Sequence, residues 1–515
     1  MYPFEFLILE VNSDQTTPIM KRFMLLSCLF SFALSQAQHQ RKLPIDTTVT
    51  STHSVTVKGQ KFSYTAETGT QPVWDKMGEP VASLHYTYYT RNGIQNREKR
   101  PLLISFNGGP GSASVWMHLA YTGPRILKID DEGYPVQPYG FKENPYSVLD
   151  VSDIVFVNPA NTGYSRTIPE TGKEVDRDFF FGINADVSYL AEWLNTFVTR
   201  HNRWNSPKYI IGESYGGTRV MGLSLALQNQ QWMYLNGVIM VSPADYKVIR
   251  VGGPVSSALN LPYFAAAAWH HKRLAAPLQS KELEEMLPEV EDYAVNKLIP
   301  ALAKGGFLSA TEKRNVAEKM AYYSGLQVQD ILDQNLDLTT RFFWKHLLKD
   351  AGGYTVGRLD SRYTGFDRQV FGDSPDYNSE ITSWLHSFTP AINAYLQNEL
   401  GFKTDIKYNM FGPVRPWNNE NDNVRDNLRQ AMAQNPYLNV LIQSGYYDGA
   451  TTYFNAKYTM WQVDPSGRMK DRFEFKGYRS GHMMYLRRPD LEAANEDLRQ
   501  FILRTSNTGK SAKYE

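Results

Sequence analysis

Lys208-Tyr209-Ile210-Ile211-Gly212-Glu213-Ser214-Tyr215-Gly216-Gly217 is an apolar run that ends abruptly in Gly-x-Ser-x-Gly. The following residues, Thr218 to Gln228, read as a helix. Strand, sharp turn and helix in that order describe a nucleophile elbow, in which a strained turn lifts a serine hydroxyl above a sheet edge. Side chains at Gly212 and Gly216 would crowd such a turn, and glycine also permits unusual backbone angles. Ser214 is therefore a candidate nucleophile. The bare pattern is not sufficient: with glycine at about 7% of residues it arises by chance in roughly one chain in ten of this size.

The flanking sequence supplies a sheet for the elbow. Leu102 to Phe106, Asp153 to Val157, Tyr209 to Ile211 and Gly237 to Val241 are short apolar runs, and segments with helical spacing such as Asp186 to Val198 lie between them. Strands apolar on both sides that alternate with helices predict an α/β chain with a doubly wound, mostly parallel sheet. Upstream, Ser54 to Tyr64 and Ala82 to Thr90 alternate polar and apolar residues, punctuated by Gly59, Gly69 and Gly78, and predict antiparallel N-terminal strands. After Pro243 the rhythm breaks. Residues 246–400 carry helical stretches, Lys281 to Leu302 and Thr311 to Tyr323 among them, with no clear sheet strand, and are expected to form a helical cap insertion. Val424 to Gln434 then reads as a helix and Leu438 to Gln443 as another buried strand, so the core is expected in two parts, 42–245 and 401–505, followed by a frayed polar tail over 506–515.

The bulk composition bounds the function. A chain of 515 residues that is 42% hydrophobic can bury a large core. A net charge of +1 with both signs interspersed indicates neither a nucleic-acid groove nor a polybasic membrane surface. The 32 tyrosines suit an aromatic-lined cleft, although core packing accounts for most of them. Met20-Lys21-Arg22, the mostly apolar run Phe23 to Leu34 and Ser35-Gln36-Ala37 have the form of a secretory signal peptide, with cleavage expected after Ala37 and residues 1–19 as an upstream extension. The apolar run is short for a bilayer span, so no stable membrane insertion is expected after cleavage. The single cysteine, Cys28, lies in this segment. Its context departs from a lipoprotein box, because it sits close to the basic residues and apolar residues continue beyond it. An exported protein of this kind, expected in the periplasm or outside the cell, relies on its core rather than on disulfides.

A serine hydroxyl needs a base, usually histidine, oriented by a carboxylate, and behind an elbow of this kind the chain order is Ser, then Asp or Glu, then His. Of the ten histidines, His270, His271, His346, His386 and His482 follow Ser214. The first three fall in the expected cap and His386 near its end. His482 alone follows the last buried strand, in Ser480-Gly481-His482-Met483. The acid should close the preceding strand, and Leu441-Ile442-Gln443 runs into Ser444-Gly445-Tyr446-Tyr447-Asp448-Gly449. Asp448 is favoured by position. Asp471 and Glu474 are alternatives, lying within or beside a later strand. Two preorganised N–H donors must meet the substrate oxyanion. One is normally the amide after the nucleophile, Tyr215. The other comes from the loop after an earlier strand, here Asn107-Gly108-Gly109-Pro110-Gly111-Ser112. That loop lacks the endings of a phosphate-binding or dinucleotide loop. With no His-Glu-x-x-His and no cysteine pair, no metal or cofactor is expected.

The Asn-Gly-Gly-Pro-Gly run at 107–111, Gly-Glu-Ser-Tyr-Gly at 212–216, the Gly-x-x-Asp turn at 445–448 and Gly-His-Met at 481–483 together resemble the serine carboxypeptidase family, as does Asn158-Pro159-Ala160-Asn161-Thr162-Gly163-Tyr164-Ser165. The resemblance covers about residues 80–245 and 400–490 and implies an α/β-hydrolase fold and release of C-terminal residues from peptides. It implies Ser214 as nucleophile, His482 as base, Asp448 as orienting acid, the amides of Gly109 and Tyr215 as oxyanion donors, and Asn107 and Glu213 as holders of the substrate carboxylate. A carboxylate facing a carboxylate must share a proton, so Glu213 would bind it only when protonated. Two positions depart from the family pattern: Ser105 stands where Trp is usual and Tyr121 where Glu is usual. Terminal recognition is therefore expected to be altered and the pH profile less acid-shifted. An esterase, an acyltransferase or a broader serine peptidase on the same fold is the alternative, and a non-catalytic binding protein is a third reading that the complete Ser214, Asp448 and His482 set opposes.

Overall fold

A computed structural model describes residues 43–170, 172–244, 253–420, 423–509 and 511–514. The expected signal peptide and Cys28 lie outside the described residues. Thr404–Ile406 falls outside the compact unit made by Leu43–Lys403 and Lys407–Glu515, which is the body considered below.

That body is built on a ten-stranded sheet. Nine strands run in the order β1 (Thr47–Val57), β2 (Gln60–Trp74), β3 (Pro80–Arg91), β5 (Asp153–Val157), β4 (Leu102–Phe106), β6 (Lys208–Glu213), β7 (Gly237–Val241), β8 (Asn439–Gly445) and β9 (Phe473–Tyr478), and the two-residue strand Arg166–Thr167 pairs beside β3. From β5 to β9 all neighbours are parallel, whereas β1, β2, β3 and β5 pair antiparallel. The expected mostly parallel sheet with antiparallel N-terminal strands is what forms. Gly59 lies in the β1–β2 turn and Gly78 in the β2–β3 turn, while Gly69 is an interior residue of β2 rather than a break.

The parallel strands are buried throughout, which is why they read as continuous apolar runs. Alternate residues feed opposite layers. Leu102, Ile104, Ile210, Val238 and Met240 join the core with Leu190, Leu194, Leu223, Leu227 and Leu428, carried by helices Ile183–Arg200, Tyr215–Gln230 and Val424–Gln434. On the other face, the hydroxyl of Tyr209 donates to Ile502 O at 3.1 Å, so helix Arg488–Thr505 covers that side. Each fully buried aliphatic side chain contributes about 1.5–3 kcal/mol to this sandwich.

The chain enters the parallel part of the sheet at β4, steps to β5 on one side and returns to β6 on the other. This reversal makes a switch point, and in such sheets the crevice beyond the carboxyl ends of the strands accepts ligands. Between β7 and β8 the described residues from 253 to 400 are largely helical and form a second apolar cluster around Tyr263, Phe264, Leu287 and Phe343. One feature there departs from the sequence reading: Tyr354–Val356 and Thr364–Phe366 pair as a small antiparallel hairpin. At three residues each, its strands are too short to register as periodic patterns.

Candidate active site

The carboxyl ends of β4, β6, β7, β8 and β9 each lead into one part of a single site. Ser214 follows β6 at the N-terminus of helix Tyr215–Gln230, with φ 60° and ψ −122°. A non-glycine residue at positive φ costs on the order of 1–3 kcal/mol and persists only where surroundings enforce it. Here the Ser214 amide donates to Val241 O at 2.9 Å, and Ser214 O accepts from Gly217 N at 2.9 Å and Ala244 N at 3.3 Å. A Cβ on Gly212 would lie 2.1 Å from Gly216 O, so glycine is required where the turn folds back on itself. Gly212→Ala is accordingly expected to destabilise the fold by about 3 kcal/mol. An unchanged urea midpoint would show that the elbow can relax.

Asp448 lies three residues beyond β8 and is fully buried. Its Oδ1 accepts from Ala450 N at 2.8 Å and Thr451 N at 3.0 Å. Its Oδ2 lies 2.7 Å from His482 Nδ1 and 2.7 Å from Thr451 Oγ1. The threonine hydroxyl also sits 3.0 Å from His482 Nδ1 and donates to Ser242 O at 2.9 Å, while Ser242 Oγ donates to His482 O at 2.8 Å. The end of β7 thus links the acid and base to the Val241 carbonyl that holds Ser214. His482 Nε2 has no hydrogen-bond partner among the described residues, leaving that edge of the imidazole for a reacting group. Burial pulls the His482 pKa down, but the Asp448 carboxylate outweighs it and the net direction is up.

The alternatives for acid and base lie elsewhere. Glu474 is in β9 and pairs with Arg504 and Lys476, and Asp471 is in the turn before that strand. His271 Nε2 is 2.6 Å from Ser361 O, and His346 Nε2 is 3.1 Å from Gly372 O. His386 belongs to helix Ser379–Ala394.

The loop after β4 lies directly over the elbow. A Cβ on Gly108 would lie 2.6 Å from Tyr215 N and 2.5 Å from Glu213 O, so glycine alone lets the two backbones approach this closely. Ser112 N donates to Gly108 O at 2.9 Å, turning that carbonyl inward, and Gly109 has φ 106°. The amides of Gly109 and Tyr215 are thereby carried on two touching segments. Asn107 Oδ1 accepts from Met117 N at 3.1 Å. Its buried Nδ2 reaches no acceptor in hydrogen-bond geometry, although it lies close enough to Glu213 and Tyr485 to influence both.

Glu213 is 4% exposed, and its carboxyl accepts a hydrogen bond from the Tyr485 hydroxyl. Burial pushes its pKa up to about 7, and the Asp448 carboxylate adds to the rise against the opposing pulls of His482, Tyr485 and Asn107. Tyr121 does not reach Glu213 itself. Its ring stacks on Tyr485 at 5.0 Å and 11°, and its hydroxyl donates to Gln443 Oε1 at 2.5 Å. Ser105 is buried with its hydroxyl unpartnered. A tyrosine therefore serves Glu213 where a second acid was absent from the sequence pattern.

Sequence reasoning missed Tyr485, Thr451 and the segment 358–361. This segment, from the insertion, grips both loops: Arg358 O accepts from Gly449 N at 3.0 Å, Leu359 O from His482 N at 2.6 Å, and Ser361 N donates to Tyr447 O at 3.0 Å. Backbone contacts carry no side-chain signature. Tyr485, only three residues beyond His482, was within reach of inspection. Among the described residues no group of three or more His, Cys, Asp or Glu is placed to hold a metal ion.

Comparisons with known proteins agree with this architecture. A family model described as serine carboxypeptidase matches residues 65–480, ending two residues before His482. Serine carboxypeptidase-like 36 of Arabidopsis thaliana is 30% identical over 181 residues, covering 34% of this chain and 34% of that protein. Retinoid-inducible serine carboxypeptidase of Rattus norvegicus is 26% identical over 295 residues, covering 54% of this chain and 57% of that protein. The matched stretches thus span between about a third and just over half of these relatives' length. In fold, the chain is similar to Kex1(delta)p, a prohormone-processing carboxypeptidase from Saccharomyces cerevisiae, with a TM-score of 0.50 and 13% identity over 85% of this chain and 91% of that one.

Proposed function

The chain belongs to the serine carboxypeptidase family, and from that premise we propose that it removes C-terminal residues from peptides through an acyl-enzyme on Ser214. The observation that carries this reading is Glu213, a buried carboxyl with a pKa of about 7, beside the unpartnered Nδ2 of Asn107 and one residue from the candidate nucleophile. A protonated Glu213 and the Asn107 amide supply two donors, and the natural complement of two donors in a buried pocket is a carboxylate.

In this mechanism His482 takes the proton of Ser214 as the hydroxyl attacks the scissile carbonyl. Asp448 holds the imidazole in the tautomer that leaves Nε2 free to accept. The oxyanion forms against the amides of Gly109 and Tyr215. His482 then protonates the leaving amine, which departs as the C-terminal amino acid. Water, activated by the same imidazole, releases the shortened peptide.

Two groups set the pH response. His482 acts as a base only when neutral, and its raised pKa means that activity begins to fall above pH 6.5 as the solution is acidified. Glu213 binds a carboxylate only when protonated, so affinity for a free C-terminus weakens as pH rises through about 7. The kcat/KM for a peptide is thus expected to be a narrow bell near neutrality, and that for a neutral ester to lack the alkaline limb set by Glu213. Glu213→Gln removes the titration and should flatten the peptide's alkaline limb. A peptide optimum near about pH 5, or an alkaline limb unchanged in Glu213→Gln, would contradict the assignment.

We also propose that residues 246–400 act as a cap that shapes side-chain preference, and that residues 1–37 direct export. Segment 358–361, which grips the Asp448 and His482 loops, supports the first of these. For the second, Lys21-Arg22 followed by an apolar run is the supporting feature, and N-terminal sequencing of exported protein is expected to begin at Gln38. Among the described residues no helix is long and apolar enough to cross a membrane.

A further inference from the structure

Arg219 sits in the first turns of the helix that carries Ser214, wholly buried, with its guanidinium between that helix and the loop after β4. Its Nε donates to Asp186 Oδ2 at 2.7 Å. Its Nη1 donates to Asn107 O at 2.5 Å, and its Nη2 to Pro110 O at 3.3 Å. The guanidinium also lies 5.2 Å from the Tyr215 ring and 5.8 Å from the Phe106 ring. Asp186 is itself fixed by the Tyr189 hydroxyl at 3.1 Å, which accepts from Ala160 N at 3.1 Å. Each of the three guanidinium nitrogens therefore donates a hydrogen bond, and two of the acceptors are backbone carbonyls of the loop that carries Gly109.

We propose that Arg219 is a positioning residue for the oxyanion hole. The inference rests on the reading of Ser214 as a nucleophile. An amide can face a developing oxyanion only if the neighbouring carbonyls face away. Arg219 draws back those of Asn107 and Pro110, and Ser112 N draws back that of Gly108. The Gly109 N–H, which has no backbone acceptor among the described residues, is thereby left for the oxyanion. Asp186 neutralises the cation, so Arg219 acts on the loop through its two carbonyl hydrogen bonds rather than as a net charge. Because Arg219 belongs to the helix that begins at Tyr215, one rigid element sets the spacing of both oxyanion donors. A buried ion pair alone could be purely structural. The bonds to two loop carbonyls give this one a catalytic consequence.

The test uses the full-length protein in three forms: unaltered, Arg219→Lys, and the double variant Arg219→Met with Asp186→Leu. The double variant leaves no unpaired buried charge, so loss of fold is not the expected result, and thermal melting verifies this. Hydrolysis of an N-acyl amino acid ester and of its matched thionoester is measured, with functional sites counted by phosphonate labelling of Ser214. The double variant is expected to lose about 30-fold in kcat per site on the ester, with KM within about twofold, because displacing a reacting-site donor by about 1 Å has effects of that order. The thionoester, whose sulfur accepts hydrogen bonds weakly, should lose several-fold less. Arg219→Lys, which keeps the charge but not the forked geometry, should fall between. Unchanged ester kcat per site in the folded double variant, or equal losses on ester and thionoester, would overturn the inference while leaving Ser214 as nucleophile. Failure of the unaltered protein to label at Ser214 would instead overturn the proposed function, and this inference with it.

Discussion

Ser214→Ala is expected to lower kcat for peptide hydrolysis by about a million-fold, with the folded state retained. The loss is large because the oxygen that would bond to the substrate carbonyl is gone. Alanine keeps the Cβ that the turn already accommodates at φ 60°, and the Ser214 hydrogen bonds that hold the turn come from the backbone. Thermal stability should therefore be nearly unchanged. Catalysis over water of about 10³- to 10⁴-fold should survive from the oxyanion donors and from binding. Steady-state assays, with phosphonate labelling to exclude contaminating enzyme, check both parts. Activity within about tenfold of the unaltered protein would remove Ser214 from the mechanism.

Asp448→Asn should cost about 10⁴-fold in kcat. The reason is tautomeric. Asn can still accept at Oδ1 from Ala450 N and Thr451 N, which keeps the turn intact. Its amide nitrogen then takes the place of Oδ2, 2.7 Å from His482 Nδ1. Two donors cannot face each other, so Nδ1 must become the acceptor and the proton moves to Nε2. The imidazole can then no longer take the proton of Ser214. Above the His482 pKa the loss should persist at every pH, since tautomer rather than charge is at fault. A loss that vanished at high pH would point to the carboxylate acting only through the His482 pKa.

The parts of this molecule that were legible in the sequence are those held by residue type. Gly212 and Gly216 are set by steric closure of the elbow, and the buried strands by continuous apolar runs, so β4, β5 and β7 begin and end as expected. His482 was reachable because only one histidine follows the last buried strand. The rest depends on contacts distant in sequence. Tyr121 and Tyr485 are 364 positions apart (485 − 121) and meet as a stacked pair. Segment 358–361 acts through carbonyls and amides that any side chains could accompany. Arg219 and Asp186 are each ordinary polar residues on helices until the fold turns them toward each other under the loop at Asn107. Ser105 and Tyr121 are positions where the sequence departs from the family pattern, and in the fold Tyr121 stacks on Tyr485 while the Ser105 hydroxyl is buried without a partner. The phenol that donates to Glu213, Tyr485, comes from beyond His482, a part of the chain that the pattern at 105–121 does not reach.

The most direct test digests a peptide and its C-terminally amidated twin together, at neutral pH, and follows both by mass spectrometry. A ladder of products shortened from the C-terminus is expected from the free peptide alone, with the amidated twin intact over the same interval. Equal cleavage of the two, or cuts at internal bonds, would contradict the assignment of Glu213 and Asn107 as the site that holds a peptide's terminal carboxylate beside Ser214.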